Sequence, residues 1–245
     1  MPKFFVTKEQ IGEQIVITGE DAKHIKTVLR KKVGEQITIC DREGIDYICS
    51  IEHFEQNEIY FDVIEKKICD TEPPIKIVLY QGLPKADKME LIIQKCVELG
   101  IDTIVPVATE YCVVKLGQKE NKKIERWQKI AEAAAKQCGR AKIPVIHNVL
   151  TFGEALKQSK ELDSAIIAYE KEKDRNLKEF IKQFDGKSIG VFIGAEGGFS
   201  EQEVVQAIEN NILPITLGKR ILRTETAGMI TTAILLYEME QGDRI

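Results

Sequence analysis

Two glycine-rich loops hold the residues best suited to chemistry. Residues 192–203, FIGAEGGFSEQE, place a glycine turn between a strand and a capped helix. Residues 212–228, ILPITLGKRILRTETAG, contain a second strand that ends in a glycine loop, followed by two arginines and Thr224. Glycines let the backbone approach a ligand closely, and N–H groups at a helix N-terminus can donate to its polar atoms. A simple turn also explains glycines, so only the two loops together indicate a ligand site.

Other patterns that suggest chemistry fail on their context. Residues 186–190, GKSIG, match G-x-S-x-G, but Ser188 opens a strand, whereas a hydrolase nucleophile follows one. The same residues lack the upstream glycine of a P-loop, because position 181 is Ile, and G-x-G-x-x-G is absent. The three histidines lack metal-ligand spacing, so we expect no metal site.

The composition is that of a folded, soluble chain. It has 245 residues, 43% of them hydrophobic and 30% charged, with a net charge of −4. This much apolar surface offsets the entropy of ordering, which excludes intrinsic disorder. We expect no secretion signal, because the N-terminus MPKFFVTKEQ lacks a basic segment followed by an apolar core. We expect no membrane span, because the longest uncharged apolar stretch, Thr226 to Tyr237, is shorter than the ~20 residues that a bilayer requires. Six cysteines without a C-x-x-C pair indicate reduced thiols in a cytoplasmic protein.

The first part of the chain is β-rich. Its predicted strands alternate apolar with polar residues: QIVIT at 14–18, QITIC at 36–40, DYICSI at 46–51 and EIYFDVI at 58–64. One helix, from Glu20 to Lys32, interrupts them and stops before Gly34. The prolines in residues 69–76 indicate a linker. We therefore predict a small β-barrel domain over residues 1–71.

The rest of the chain, residues 72–245, alternates strands with helices. Uniformly apolar strands such as IGVFI belong to a parallel sheet that is covered on both faces. Capping boxes at Thr151 and Ser200 mark the starts of two helices, because each is followed three residues later by Glu. This domain is predicted to be α/β. Its two glycine loops then lie at the carboxyl ends of adjacent parallel strands, where such folds bind ligands.

Four segments resemble one known family. They are GAEGGFS, LGKRILRTETA, PKADKMELIIQKCVELGIDTIVPVATE and AAAKQCGRAKIP. They are similar to the RsmE-type 16S ribosomal RNA (uracil-N3)-methyltransferases of the SPOUT class. The resemblance covers almost the whole chain and implies a PUA-like N-terminal domain, a C-terminal trefoil knot, a homodimer, S-adenosyl-L-methionine as cofactor, and 16S rRNA of the small ribosomal subunit as substrate.

The sequence departs from the family pattern in two places. Ala195 stands where the family usually has proline, which should reduce only the stiffness of the loop, since the glycines remain. Tyr111 and Cys112 stand where an Arg-Ser pair is usual, so the group near Glu110 that contacts RNA is left open.

The family resemblance and the chemistry of the donor assign residues to the cofactor. Adenine is flat and largely apolar, so loop backbone can read its edge while Ile193, Leu217 and Leu222 enclose it. The end of the strand at Glu170 should line the same pocket. The predicted cofactor residues are Ala168, Tyr169, Gly194, Glu196, Gly197, Leu217, Gly218, Ile221, Leu222 and Ala227.

Methylation at N3 of uridine requires loss of the imide proton and stabilisation of charge on O2 or O4. We predict that Arg223 stabilises this charge, because a guanidinium donates two parallel hydrogen bonds. Glu196 is predicted to assist proton removal. Glu225 is an alternative. A carboxylate at either position also suits the N-terminus of a helix, and Glu225 suits that role better.

Basic residues on two helices predict an RNA surface. The middle of the chain, residues 71–150, is net basic, whereas both flanks are net acidic. Lysines and arginines recur on one face of each helix, which is also typical of a solvated face. Beside a methyl-donor site they favour phosphate contact. The predicted RNA-binding residues are Lys23, Lys26, Arg30, Lys31, Lys122, Arg126, Lys129, Lys136 and Arg140.

Two further functions remain open at this stage. One is RNA 2′-O-ribose methylation on the same fold, and the other is a non-catalytic RNA-binding or assembly protein.

The final helix, uncharged from Thr226 to Tyr237, must be buried in the domain or against another subunit. The family resemblance favours burial against another subunit, in a symmetric homodimer.

Overall fold

The computed structural model describes residues 3–12, 14–113 and 120–242. The chain divides into two compact units, each formed from two stretches of sequence. Unit 1 comprises Met1–Glu72 and Ala135–Ile143, and unit 2 comprises Pro73–Ala134 and Pro144–Ile245.

Unit 1 is a five-stranded sheet that curls into a half-barrel. Its strands are β1 (Lys3–Phe5), β2 (Ile15–Thr18), β3 (Gln36–Cys40), β4 (Ile45–Phe54) and β5 (Glu58–Ile68). The order is β1-β3-β4-β5-β2, antiparallel except for the parallel pair β1 and β3. The apolar residues of the alternating strands face one core, which includes Ile15, Ile39 and Phe61. The four predicted strands are confirmed, and β1 is an addition.

The predicted helix from Glu20 to Lys32 is shorter than expected. An α-helix, α1 (Gly19–Lys23), passes directly into a wider π-helical segment over His24–Val28. The backbone N–H of Lys31 bonds to the carbonyl of Ile25 at 3.1 Å, and Arg30 has a positive φ of 51°. The wide turn ends the helix because only part of the predicted apolar stripe is buried: Ile25 is inaccessible, whereas Val28 is 65% exposed.

Arg140 lies inside unit 1, which makes its predicted role in RNA binding wrong. The side chain is only 4% exposed, and its Nη2 donates to Oε2 of Glu72 at 2.7 Å. The other carboxylate oxygen of Glu72 accepts the backbone N–H of Ala141 at 2.9 Å. A buried guanidinium that is already neutralised by a carboxylate is not available to phosphate.

Unit 2 is built on an all-parallel sheet. Its strands are β6 (Lys76–Gly82), β7 (Thr103–Ala108), β8 (Val145–Ile146), β9 (Leu150–Thr151), β10 (Ser164–Ala168), β11 (Ser188–Ile193) and β12 (Leu213–Ile215). The order is β12-β10-β11-β6-β7-β8, and β9 also pairs with β7. The central strands β6 and β11 are mostly apolar, as expected for strands with buried side chains on both faces. The predicted α/β fold is confirmed.

Helices connect these strands, and their starts follow the local sequence. They are α2 (Lys88–Leu99), α3 (Glu120–Cys138), α4 (Phe152–Gln158), α5 (Leu177–Gln183), α6 (Glu201–Glu209) and α7 (Thr224–Gly242). Both predicted capping boxes form: Thr151 caps α4 with Glu154, and Ser200 caps α6 with Glu203. A third, at Asn176, starts α5.

Helix α7 is apolar but not fully enclosed within unit 2. Leu235 and Leu236 are buried, whereas Ile230, Ile234 and Tyr237 are 43%, 41% and 64% exposed. These three residues recur at helical spacing and form one apolar face, called here the α7 face. No helix in the described parts of the chain is both long and apolar enough to cross a membrane.

The ion pair of Glu72 with Arg140 gives unit 1 a pH-dependent stability. Burial alone would raise the pKa of Glu72, but hydrogen bonds from Arg140 and two backbone N–H groups outweigh it, and the pKa is lowered. The pair therefore contributes its full stability above the ordinary pKa of a glutamate. That contribution is lost as the pH falls through the lowered pKa of the folded state.

Glu72→Gln should lower the free energy of unfolding at pH 7 by about 3 kcal/mol, because Arg140 keeps a buried charge without its carboxylate. Urea unfolding measures the change. Glu43→Gln is the control, since Glu43 pairs with Lys8 on the open surface and should leave the urea midpoint unchanged. The difference in unfolding free energy between Glu72→Gln and the wild type should narrow as the pH falls below 4.5, the ordinary pKa of a glutamate. A difference that stays constant with pH would contradict this account.

Candidate functional site

A cavity of about 510 Å³ opens at the carboxyl edge of the parallel sheet in unit 2. Its walls come from the ends of β10, β11 and β12, from the loop before α7 and from the first residue of α2. The lining residues are Lys88, Ala168, Tyr169, Glu170, Ile193, Gly194, Ala195, Glu196, Gly197, Gly198, Thr216, Leu217, Gly218, Lys219, Arg220, Ile221, Leu222, Arg223, Thr224 and Ala227. The cavity lies at the switch point of the sheet, between the neighbouring strands β11 and β6. From β6 the chain passes to β7 on one side of this point, and from β11 it passes to β12 on the opposite side.

Glycines allow the chain segments around this cavity to touch. A Cβ on Gly82, at the end of β6, would lie 2.5 Å from the backbone nitrogen of Ala195. A Cβ on Gly194 would lie 2.8 Å from the backbone of Gly198. Neither distance is compatible with a side chain, so the turn after β11 closes against β6 only because these positions are glycine.

The structure brings all ten predicted cofactor residues to the wall of this one cavity. Gly218 has a φ of 112°, a conformation that favours glycine and that turns the loop after β12 toward the cavity. Ile221 is 88% exposed although it faces the cavity, so it is not an ordinary core residue. Leu217 and Leu222 are half-buried. The assignment of these residues to a cofactor stays a prediction.

Lys88 and Thr216 also line the cavity, and our interpretation of the sequence missed both. Lys88 opens α2, just beyond the carboxyl end of β6. Ligands bind at the switch point of such sheets, and β6 and β11 are neighbours there, so this rule would have predicted Lys88 as a cavity residue if the pairing of the two strands had been known. Pairing of those two strands, which lie more than a hundred residues apart, was the missing information.

Charged groups gather at one side of the cavity. Nζ of Lys88 lies 2.8 Å from Oε1 of Glu196 and 3.7 Å from Oε2 of Glu225. Glu196 also accepts the backbone N–H of Lys85 at 3.1 Å. Arg223 is exposed, and no carboxylate among the described residues pairs with it. Its guanidinium is therefore available to a ligand.

The contacts of Glu196 argue against its predicted role in proton removal. Partial burial would raise the pKa of Glu196, but the hydrogen bonds from Lys88 and from the backbone of Lys85 outweigh it, and the pKa is lowered. A carboxylate with a lowered pKa is a weaker base. Glu196 instead holds the turn after β11 to the segment that follows β6.

The two departures from the family pattern lie beside the same turn. Ala195 is buried, and its carbonyl accepts the backbone N–H of Gly198 at 3.0 Å. Tyr111 packs on Gly197, where an added Cβ would lie 2.7 Å from Cβ of Tyr111. Cys112 donates from Sγ to the carbonyl of Leu83 at 3.3 Å. The residues after β7 thus support the cavity wall from outside.

The predicted RNA-binding residues differ in how available they are. In unit 1, Lys23, Lys26 and Arg30 are exposed, whereas Lys31 pairs with Glu35 at 3.1 Å. Lys136, at the end of α3, pairs with Asp21 at 3.0 Å. These ion pairs reduce the charge that unit 1 offers to phosphate.

In unit 2, Lys122 and Lys129 on α3 are exposed. Arg126 is 65% exposed and pairs with Glu90 at 2.8 Å, a surface pair that competes weakly with other partners. No group of His, Cys, Asp or Glu with the arrangement of a metal site occurs among residues 3–12, 14–113 and 120–242.

Two family models match the chain. Residues 71–236 match an RNA methyltransferase domain, and residues 17–64 match an RNA methyltransferase PUA domain. Together they cover most of both units.

Curated relatives and solved structures agree with these matches. The ribosomal RNA small subunit methyltransferase E of Bacillus subtilis is 37% identical over 100% of both chains. That of Buchnera aphidicola (subsp. Schizaphis graminum) is 33% identical over 98% of this chain and 95% of its own length.

Among solved structures, the small subunit methyltransferase E of Neisseria gonorrhoeae, bound to S-adenosyl methionine, has a TM-score of 0.85 at 30% identity, covering 96% of each chain. A putative methyltransferase from Legionella pneumophila in complex with the cofactor SAM has the same TM-score and identity, covering 95% of this chain and 96% of that one. The family models and these full-length matches agree with the fold and the cavity, and they show that the chain belongs to the ribosomal RNA small subunit methyltransferase E family.

Proposed function

We propose that this protein transfers a methyl group from S-adenosyl-L-methionine to N3 of a uridine in 16S rRNA of the small ribosomal subunit. The observation that carries the proposal is that one cavity brings together glycine loops, aliphatic side chains and an available arginine. The family and the cofactor named for its solved relatives support the same function.

The cavity suits the cofactor in size and in lining. Its volume of about 510 Å³ lies within the range of small-molecule sites, ~300–1,000 Å³. Leu217, Ile221 and Leu222 offer apolar surface to an adenine ring, while the turns at Gly194 and Gly218 offer backbone groups to its edge. When bound, the cofactor supplies an electrophilic methyl group on a sulfonium.

Arg223 is the residue proposed to act on the base. Arg223 lines the cavity, and no carboxylate in the described part of the chain pairs with it. Two parallel N–H groups can stabilise the negative charge that develops on a uracil oxygen as the N3 imide proton passes to solvent water. Glu196 is proposed to hold the cavity wall, and Glu225 to orient Lys88.

The two domains are proposed to divide the work. Residues 1–71 form a PUA-like RNA-binding domain, with the return segment 135–143 packed in the same unit. Residues 72–245 form the methyltransferase domain, and we infer that α7 closes a trefoil knot there. Exposed residues that include Lys26, Arg30 and Lys122 are proposed to contact phosphates, in the cytoplasm where ribosomal subunits assemble.

A homodimer through the α7 face is part of the same proposal. Ile230, Ile234 and Tyr237 expose an apolar strip along α7, and Leu91 on α2, the helix that packs against α7, is 43% exposed. A second copy of this chain would bury the strip by twofold symmetry.

Transfer of an isotope-labelled methyl group tests the function. Free 16S rRNA and intact small subunits are incubated with the protein and labelled S-adenosylmethionine, then digested and analysed by mass spectrometry. A label on N3 of uridine is expected. A label on a ribose oxygen would instead favour the 2′-O-methyltransferase, and no binding of S-adenosylmethionine in calorimetry would favour the non-catalytic protein.

Arg223→Ala should lower the rate of methyl transfer by about 10²- to 10³-fold, because charge on the uracil oxygen loses its donors. Cofactor affinity, measured by calorimetry, should change little. Arg223→Lys, which keeps the charge but not the fork of donors, should recover only part of the rate. A wild-type rate of methyl transfer in Arg223→Ala would contradict the role assigned to Arg223.

Binding to 16S rRNA should weaken steeply as salt rises, because phosphate contacts release counterions. Charge reversal of Lys26 and Arg30 to Glu should flatten the slope of log affinity against log salt by roughly 0.7 for each phosphate that is no longer neutralised. Lys157→Glu with Lys160→Glu makes the same change in net charge away from the predicted faces. Equal slopes for the two double variants, measured by filter binding, would argue against the proposed surface.

Sedimentation of the protein at micromolar concentration should give twice the 27.7 kDa of one chain. Ile234→Glu places a charge in the proposed interface and should give the mass of a single chain. Ile208→Glu changes a residue of α6 that is 51% exposed and should stay dimeric. A single-chain mass for the wild type would contradict the dimer.

A further inference from the structure

A buried hydrogen-bonded chain connects three segments around the cavity. Gln81 is completely buried, and its Nε2 donates to Oγ1 of Thr224 at 2.8 Å. Oγ1 of Thr224 donates in turn to the carbonyl of Gly194 at 2.6 Å. The amide of Gln81 also donates to the carbonyl of Gly82 at 3.0 Å. One side chain on β6 thus links α7 to the glycine turn after β11.

The chain passes through residues that flank the proposed chemistry. Thr224 follows Arg223 directly and is 6% exposed. Gly194 begins the glycine turn that lines the cavity. The backbone N–H of Ala227 bonds to the carbonyl of Arg223 at 2.9 Å, so Arg223 is tied to the first turn of α7. A shift of Thr224 would therefore move Arg223 relative to the cavity wall.

Hydrophobic packing alone does not explain an amide at position 81. Burial of a polar group is unfavourable unless it is fully hydrogen-bonded, and Oε1 of Gln81 has no partner among the described residues. A methyl group on Gly228 of α7 would lie 3.2 Å from this oxygen, so the helix leaves room for the amide. A leucine would fill the same space without the polar cost.

We infer that Gln81 and Thr224 are positioning residues, which set Arg223 at its working distance from the cofactor loop by joining α7 to Gly194. The inference rests on the proposed function, because it assumes that Arg223 and the glycine loop act on the same reaction. It adds two residues that act on the reaction through the position of Arg223: Gln81 from the buried end of β6 and Thr224 from the cavity wall.

Removal of the hydroxyl at position 224 tests the inference. Thr224→Val keeps the shape of the side chain but breaks both hydrogen bonds. Its rate of methyl transfer at saturating cofactor and RNA should fall about 100-fold, the size of effect expected from a misplacement of about 1 Å. The KM for RNA should stay unchanged, since phosphate contacts lie elsewhere. Thr224→Ser, which keeps the hydroxyl, should recover most of the rate.

Thr231→Val is the matched control. Thr231 lies on the same helix and is completely buried, and its Oγ1 has no hydrogen-bond partner in the described part of the chain. The same substitution should leave the rate unchanged there. Equal rates for Thr224→Val and Thr231→Val, or a Thr224→Ser variant as slow as Thr224→Val, would overturn the inference.

A double-mutant cycle gives an independent test. Gln81→Met removes the amide at similar length and should also slow methyl transfer. Combined with Thr224→Val, it should be no slower than the slower single variant, because both break one chain of hydrogen bonds. Additive losses would overturn the inference. Should Thr224→Val fail to fold by circular dichroism, Gln81→Met compared with Thr231→Val decides in the same way.

The outcomes separate this inference from the proposed function. If the wild type transfers no methyl group, the proposed function is wrong. If the wild type is active and both Thr224→Val and Gln81→Met retain its rate, the function stands and only the positioning role fails.

Discussion

The close contact between the end of β6 and the turn after β11 is the constraint on which the site depends. The two strands pair in parallel up to Gln81 and Ile193, and beyond them Gly82 meets Ala195 at a distance that excludes any side chain. This contact fixes the cavity wall at the point where the strand order reverses. The loop before α7 completes the wall, and buried hydrogen bonds from Gln81 and Thr224 join it to the same place.

Electrostatic contacts at the surface of the cavity also join the turn after β11 to the segment that follows β6. Lys88 of α2 and the backbone of Lys85 hold Glu196, the carboxylate that the sequence predicted to assist proton removal, and these contacts argue against that role. Arg223 is left without such a partner among the described residues.

Local signals in the sequence predicted much of the fold and of the site. Period-two alternation predicted four strands of unit 1, and capping boxes at Thr151 and Ser200 predicted two helix starts. The two glycine loops predicted the cavity, but the expectation that they follow adjacent strands was wrong, because β10 lies between β11 and β12. Both loops still reach one cavity, whose wall also includes the end of β10. These signals act within a few residues or follow from general rules of topology.

Interactions between distant residues were beyond the same reasoning. Arg140 looked like a surface cation, but its partner Glu72 is 68 residues away, and Lys136 meets Asp21 across 115 residues. Gln81 reaches Thr224 across 143 residues. The helix that was expected to continue to Lys32 ends early because Val28 faces solvent, which depends on the shape of the half-barrel rather than on periodicity.

Hydrogen exchange of the full chain, with and without S-adenosylmethionine, tests the central claim most directly. The claim is that the loops after β10, β11 and β12 form one cofactor site. Saturating cofactor should slow exchange together in residues 168–170, 194–198 and 216–228 and leave strands β3 to β5 unchanged. Protection of only one of these loops, or protection confined to unit 1, would contradict the account.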